Sequence, residues 1–186
     1  DITGHRDRAW LFTSNEAWGS AVDFTQAYIS SRWIIPVSDD WRLLLRGEVG
    51  YTDAPVNDFE FVANNDETLL VSLTQLPFRY RFFAGGSFSV RGYEFESLSN
   101  NGVGSNNVIT SSVEIERRIW NDWSAAAFID SGNAFNDWGD LELFTGIGVG
   151  VRWYAAGFPI RLDVAQAQDL EGKPWQIHLT IGSTLF

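Results

Sequence analysis

The sequence predicts an all-β protein, a transmembrane antiparallel up-and-down β-barrel with about eight strands, and three observations carry that prediction. Apolar and polar residues alternate with period two in one segment after another. The connections between those segments alternate between short and long, and aromatic residues gather near segment ends, as in the girdles of outer-membrane barrels. No run approaches the ~18 to 20 consecutive apolar residues that a membrane helix requires. A chain of this kind crosses a membrane only with strands.

Taken in order, "RDRAWLFTSN" is the least regular segment, and "DFTQAYISSRWIIPV" sets Ala27, Ile29, Trp33, Ile35 and Val37 opposite Gln26, Ser30 and Arg32. "WRLLLRGEVGY" sets Leu43, Leu45, Val49 and Tyr51 against Arg42, Arg46 and Glu48, and "VITSSVEIERRIW" sets Ile109, Val113, Ile115 and Ile119 against Glu114, Glu116 and Arg118. In "WSAAAFIDSG", Trp123, Ala125, Ala127 and Ile129 oppose Phe128, Asp130 and Gly132. "LFTGIGVGVRWY" gives Leu143, Ile147, Val149, Val151 and Trp153 one face and Gly146, Gly148, Gly150 and Arg152 the other. "FPIRLDVAQ" separates Phe158, Ile160, Leu162 and Val164 from Arg161 and Asp163. "WQIHLTIGSTLF" separates Trp175, Ile177, Leu179, Ile181 and Leu185 from Gln176, His178, Thr180, Gly182 and Thr184. Short turns at "SDD", "ND" and "AAG" alternate with longer connections near 16–22, 54–107, 135–142 and 169–174. The girdle aromatics are Trp33, Trp41, Tyr51, Trp120, Trp123, Trp153, Tyr154 and Trp175.

Alternation alone does not tell inside from outside, and a soluble barrel such as a lipocalin would turn the apolar parity inward. Two features favour the membrane. The polar parity mixes glycines with charges of both signs that can pair across a narrow lumen, and the connections alternate strictly in length.

Composition removes several function classes. The chain has 186 residues, 45% hydrophobic and 15% aromatic, with 17 Gly and 9 Trp, which suits one folded domain over 1–186 and not disorder. A formal net charge of -11 with no basic run argues against nucleic acid as a partner. There is no Cys, and His5 and His178 stand far apart, so metal, thiol and cofactor chemistry have little to work with and an enzyme is not expected. His178 reads as a lumen polar residue, since no nucleophile can be named for it. The glycines at 146, 148 and 150 repeat every two residues, which fits a strand and not a phosphate turn. With no Met and no leading signal pattern, the sequence reads as a mature or excised segment.

Residues 81–93, "RFFAGGSFSVRGY", remain to be explained. Alone, "VRGY" would be an ordinary turn with its arginine in water. It resembles the tip of the long inward-folding extracellular loop of the BamA/TamA superfamily of outer-membrane assembly and translocation barrels. Two further segments support the resemblance: "FIDSGNAF" (128–135) is similar to the family's Phe-x-Asp-x-Gly strand, and "GIGVGVRWYAAGFPIRLDVA" (146–165) to its glycine strand, turn and arginine-aspartate strand. Phe186 resembles the aromatic end of the family's last strand, and Gly4 in "DITG" the glycine of a periplasmic turn. The likeness is closest to the TamA branch, because the loop runs into "NNVITSSVEIERR" without an added glycine-asparagine element. Residues 59–76 are longer than the family's usual approach to the motif and are left without a role.

The resemblance implies that this is the C-terminal half of a sixteen-stranded barrel in a bacterial outer membrane, with an inward-folding loop over about 54–107. It implies a loop tip of Val90, Arg91, Gly92 and Tyr93, received in the lumen by Phe128, Asp130, Gly132, Glu114 and Glu116. The last strand, with Trp175, Gly182 and Phe186, would be one lip of a lateral seam. The implied function is non-enzymatic assembly and insertion of outer-membrane proteins and autotransporters. The implied partners are outer-membrane lipids, unfolded β-barrel clients, a periplasmic TamB-like protein, and a second copy or the missing barrel half. A two-partner-type secretion channel or passive pore, and a small structural barrel without insertase activity, stand as alternatives. Arg91→Ala would cost up to ~3 to 5 kcal/mol in a dry lumen, and a water-filled lumen makes a smaller value the expectation.

Overall fold

The computed structural model describes residues 3–20, 22–62, 68–99, 102–154 and 159–182. Eight strands form one antiparallel sheet in the order β1-β2-β3-β6-β7-β8-β9-β10. They are β1 (Gly4–Ser14), β2 (Phe24–Pro36), β3 (Trp41–Asp53), β6 (Asn107–Trp120), β7 (Trp123–Phe135), β8 (Phe144–Trp153), β9 (Ile160–Ala167) and β10 (Trp175–Ile181). Neighbours in sequence are neighbours in space, apart from the step between β3 and β6, where a long loop intervenes. Among the described residues β1 pairs only with β2 and β10 only with β9, so the sheet has two free edges and is part of a barrel wall. Phe158, Leu185 and Phe186, and the "AAG" turn, lie outside the described residues.

Cross-strand register carries the alternation from strand to strand. Ile115, Ala127, Val149 and Val164 form one lateral row, and Val113, Ile129 and Ile147 another. These outward residues are exposed or half-exposed, with Val149 at 60% and Leu179 at 60%. The concave face buries Gln26, Thr110, Ser112, Glu114, Glu116, Asp130, Arg152 and Asp163. Apolar outside and charged inside is the reverse of a soluble barrel, and an apolar band this wide requires lipid. The opposite faces follow from strand geometry, in which successive side chains alternate.

Near the short turns, Trp123 and Trp153 stack with ring centroids 5.9 Å apart, and Arg117 lies over the Trp41 ring at 5.2 Å. Tyr154 departs from the girdle. One residue beyond Trp153, it falls on the opposite parity and donates its hydroxyl to Glu116 Oε2 at 2.9 Å inside the lumen. Arg118 keeps the parity of Glu114 and Glu116. It lies at the strand end, where it is exposed and pairs with Asp40 at 3.1 Å.

The segment without a sequence assignment forms a separate antiparallel hairpin, β4 (Val56–Val62) with β5 (Thr68–Thr74). Alternation at Phe59 and Phe61 is present but short, which is why period alone did not place it. Arg81 ties the hairpin's exit to the loop by donating Nε to Leu76 O at 2.8 Å and Nη1 to Val103 O at 3.0 Å.

Val149→Arg is expected to cost ~2 to 4 kcal/mol, because it places a cation on the lipid face near mid-wall. Unfolding from detergent or bilayer by denaturant titration measures it. A single cysteine at 149 should react with a membrane-restricted label, whereas one at 148 should not.

Candidate functional site

The loop between β3 and β6 turns inward because its residues bury better against the wall than in water. Ala84, Val90, Tyr93 and Leu98 pack with Val108, Ala134 and Ala167 of the wall into an apolar cluster edged by Phe82 and Phe144. The tip is folded by Gly86 N–H donating to Val90 O at 3.1 Å and Ser89 N–H to Gly86 O at 3.1 Å. Gly92 has a φ of 96°, and a Cβ there would lie 3.0 Å from Gln166 C and Ala167 N, so both conformation and space require glycine.

Arg91 therefore points into the wall. Its Nε and Nη2 donate to the two carboxylate oxygens of Asp130 at 2.7 and 2.9 Å, and its own backbone N–H donates to Oδ2 at 3.0 Å. Nη1 reaches Glu114 at 2.7 Å and Asp163 at 3.3 Å, while the guanidinium carbon lies 3.3 Å from the centroid of the Phe128 ring. Planar, forked donors suit this arrangement, since one guanidinium can meet several carboxylates in fixed directions. Ser112 Oγ adds a donor to Asp130 Oδ1 at 2.5 Å.

Two more arginines complete the cluster. Arg152 bridges Asp163 at 2.5 Å and Glu114 at 2.9 Å, and Arg161 reaches Glu114 at 3.2 Å. Three guanidinium groups thus balance three carboxylates. Arg91 is 2% exposed and Asp130 0%, and for a pair this buried the larger cost of losing one partner is the expectation, where the sequence alone favoured the smaller. Burial alone would lower the Arg91 pKa, but the bond to Asp130 and the charges of Asp130, Glu114 and Asp163 hold it above its ordinary value.

Further contacts fix the tip on both sides. Arg46 of β3 donates Nη1 to Phe88 O at 2.6 Å and Nη2 to Ser89 O. On β10, His178 Nε2 accepts the Gly92 N–H at 3.0 Å and Nδ1 meets Ser87 Oγ at 3.2 Å, which fits a neutral imidazole carrying its hydrogen on Nδ1. Tyr93 donates its hydroxyl to Thr145 O or Asp169 Oδ2, both at 3.1 Å, and burial with the adjacent Asp169 carboxylate pushes its pKa up to about 12. At the other flank, Gln26 Nε2 donates to Tyr80 O at 2.7 Å, and Phe82 stacks near Trp10 and Tyr28. The loop touches both edge regions of the sheet.

Of the five lumen residues expected at the tip, Asp130, Glu114 and Phe128 meet Arg91. Glu116 does not: it lies two residues nearer the short turn, roughly 7 Å along the strand, where Arg42 in register takes it at 2.6 Å. Gly132 does not either. It lacks a side chain and is packed against Thr110, whose Cα would lie 2.7 Å from an added Cβ. On the last strand, Trp175 faces outward, 62% exposed, and Gly182 bends the chain with φ 144°.

Sequence reasoning placed Arg152, Arg161 and Asp163 on the lumen parity but did not assign them to the cluster, and it did not foresee Arg46 or His178 at the tip. The signal for Arg152 was the glycine-arginine parity of β8, and for Arg161 the arginine-aspartate parity of β9. Nothing local marks Arg46, whose acceptors are backbone carbonyls. Every carboxylate of the cluster is engaged by arginine, so the arrangement is suited to holding a loop and offers no free base.

A crystal structure of BamA from Haemophilus ducreyi lacking POTRA domains 1-3 resembles the chain with a TM-score of 0.71 at 16% identity, covering 97% of this chain and 38% of that one. CdiB from Acinetobacter baumannii matches with a TM-score of 0.43 at 14% identity, covering 95% of this chain and 46% of that one. The chain thus spans less than half the length of either. The first shows the fold, a portion of a β-barrel wall. The family model described as the Omp85 superfamily domain matches residues 9–185, and the chain belongs to the Omp85 superfamily of outer-membrane β-barrels.

Proposed function

We propose that this chain is the C-terminal part of an outer-membrane barrel that assembles and inserts other β-barrel proteins, autotransporters among them, through a lateral seam. The observation that carries the reading is the Arg91 cluster, which fixes a 50-residue-scale loop to the inner wall through β6, β7, β8 and β9. A loop held this firmly keeps the lumen side rigid while a free edge remains available for strand pairing. The last strand is that edge. Trp175 anchors one end and Gly182 bends the other. Unfolded barrel clients, outer-membrane lipids and a periplasmic TamB-like protein are the proposed partners, with the missing barrel half completing the wall. The absence of an added element after the loop supports the TamA branch.

The protein at its full natural length, reconstituted into liposomes, should accelerate folding of a small model barrel over protein-free liposomes. Folding no faster than in those liposomes, joined to a large steady single-channel conductance, would assign a secretion pore in place of an insertase.

A further inference from the structure

A single cation breaks the apolar outer face in the middle of the sheet. Arg117 follows Val113 and Ile115 on the lipid-facing parity of β6, and among the described residues it is the only arginine or lysine on that parity in the wall strands. It is exposed and makes no ion pair or side-chain hydrogen bond among the described residues. The contact it does make is with the ring face of Trp41, its registered neighbour on β3, at 5.2 Å. An arginine turned toward hydrocarbon is destabilising, and least so near the interface, where lipid headgroups can meet it. With its plane lying over an indole, the guanidinium keeps its edge donors for a forked acceptor such as phosphate.

The wall is hollowed beside this arginine. On β7 the residues in register with Arg117 and Ile115 are Ala125 and Ala127, short side chains set between those of β6 and Val151 and Val149 of β8. The result is an open groove of about 1000 Å³, flanked by Trp41, Ile115, Ile119 and Trp120. It reaches the short turn between β6 and β7, where a carboxylate also faces it. Asp40 receives Arg118 Nε and Nη2 on the same oxygen, Oδ1, at 3.2 and 3.1 Å, and its Oδ2 accepts no hydrogen bond among the described residues. An apolar trough, an unpaired cation and a carboxylate oxygen thus lie along one groove.

We propose that this groove is a binding site for one phospholipid of the leaflet on the short-turn side, with a headgroup that carries both a phosphate and a primary ammonium. The phosphate oxygens accept from Arg117, the ammonium donates to Asp40 Oδ2, and an acyl chain lies over Ala125 and Ala127. A headgroup of both signs fits better than an anionic one, because Asp39, Asp40 and Asp122 share this rim and Arg118 is already engaged by Asp40. A quaternary ammonium has no N–H to donate and would leave the carboxylate oxygen unmet. Short turns lie on the periplasmic side of outer-membrane barrels, which places the lipid in the periplasmic leaflet. The site belongs to the outer wall, so it holds whether the barrel inserts clients or forms a pore.

Native mass spectrometry of the protein at its full natural length, released from detergent containing one added lipid at a time, tests the proposal. Phosphatidylethanolamine should be retained as a single copy, roughly tenfold more tightly than phosphatidylcholine, phosphatidylglycerol or diacylglycerol of the same chains. Arg117→Gln should lower its retention to the diacylglycerol level, and Asp40→Asn should remove its advantage over phosphatidylcholine. Ala125→Leu with Ala127→Leu keeps both charges, fills the trough and should weaken retention roughly tenfold. Heat-modifiable gel mobility checks that each variant folds, and the headgroup comparison on the unaltered protein decides the matter without any variant. Equal retention of phosphatidylethanolamine and diacylglycerol, tighter retention of phosphatidylglycerol, or unchanged retention in folded Arg117→Gln would overturn the proposal. So would a photo-crosslink from a benzophenone side chain at position 119 to another protein segment in place of lipid.

Discussion

Arg91→Ala is expected to destabilise the loop's attachment by about 3 to 5 kcal/mol, the cost of stripping a buried charge cluster of one member. Removing the guanidinium leaves Asp130 with Ser112 and the backbone N–H of residue 91, and shifts the balance of the cluster to two cations against three anions. Arg91→Lys should recover little, because a single ammonium cannot span Asp130 and Glu114 in the directions the fork does. Limited proteolysis of the loop, followed in folded protein, reads the effect. Cleavage between residues 84 and 98 should rise steeply in Arg91→Ala, while the wall strands stay resistant.

A second large effect is expected at Gly146, where the alteration adds one atom and removes no charge. A Cβ at Gly146 would lie 1.7 Å from Arg91 O, a backbone atom that cannot swing aside as a side-chain tip can. Gly146→Ala must therefore push the tip off the wall or shift β8, at about 1 to 3 kcal/mol or more. The control is Gly47→Ala, whose Cβ would meet only Thr110 O at 3.9 Å and should be neutral. Comparison of the denaturant midpoints of the two variants, with loop proteolysis in parallel, checks the prediction. Equal midpoints would show that the tip does not press on β8.

Most of the wall could be read from the sequence because its environment is periodic. Lipid on one side and a polar lumen on the other impose period two, and residues such as Val149, Ile177 and Asp163 obey it without help from distant parts of the chain. The eight wall strands followed from that rule together with the alternation of turn lengths. Parity persists to the strand ends but stops predicting surroundings where the two-solvent environment ends. Tyr154 and Arg118 lie at the rim, where one step along the chain or one more residue past the bilayer changes what the side chain meets. The β4–β5 hairpin lies outside the wall, so no two-solvent pattern marked it. Within the site, parity put Glu114, Glu116, Asp130 and Asp163 on one face, but it carries no coordinate along the strand. The step of two residues that gives Glu116 to Arg42 and leaves Glu114 at the loop tip therefore came only with register. Arg46 touches the tip through its backbone carbonyls and His178 through the Gly92 N–H as well as the Ser87 hydroxyl, and backbone acceptors and donors leave no trace in side-chain composition.

The central claim is that the Arg91–Asp130 contact anchors the loop and that the anchor serves insertion. A double-mutant cycle of Arg91→Ala with Asp130→Asn tests it most directly, scored by loop protease protection and by the rate at which the reconstituted full-length protein folds a model barrel client. The expected result is a coupling of about 1 to 3 kcal/mol in protection, with client folding slowed in each single variant and little further in the double. Losses additive within about 0.5 kcal/mol, or protection and client folding unchanged by Arg91→Ala, would contradict the account.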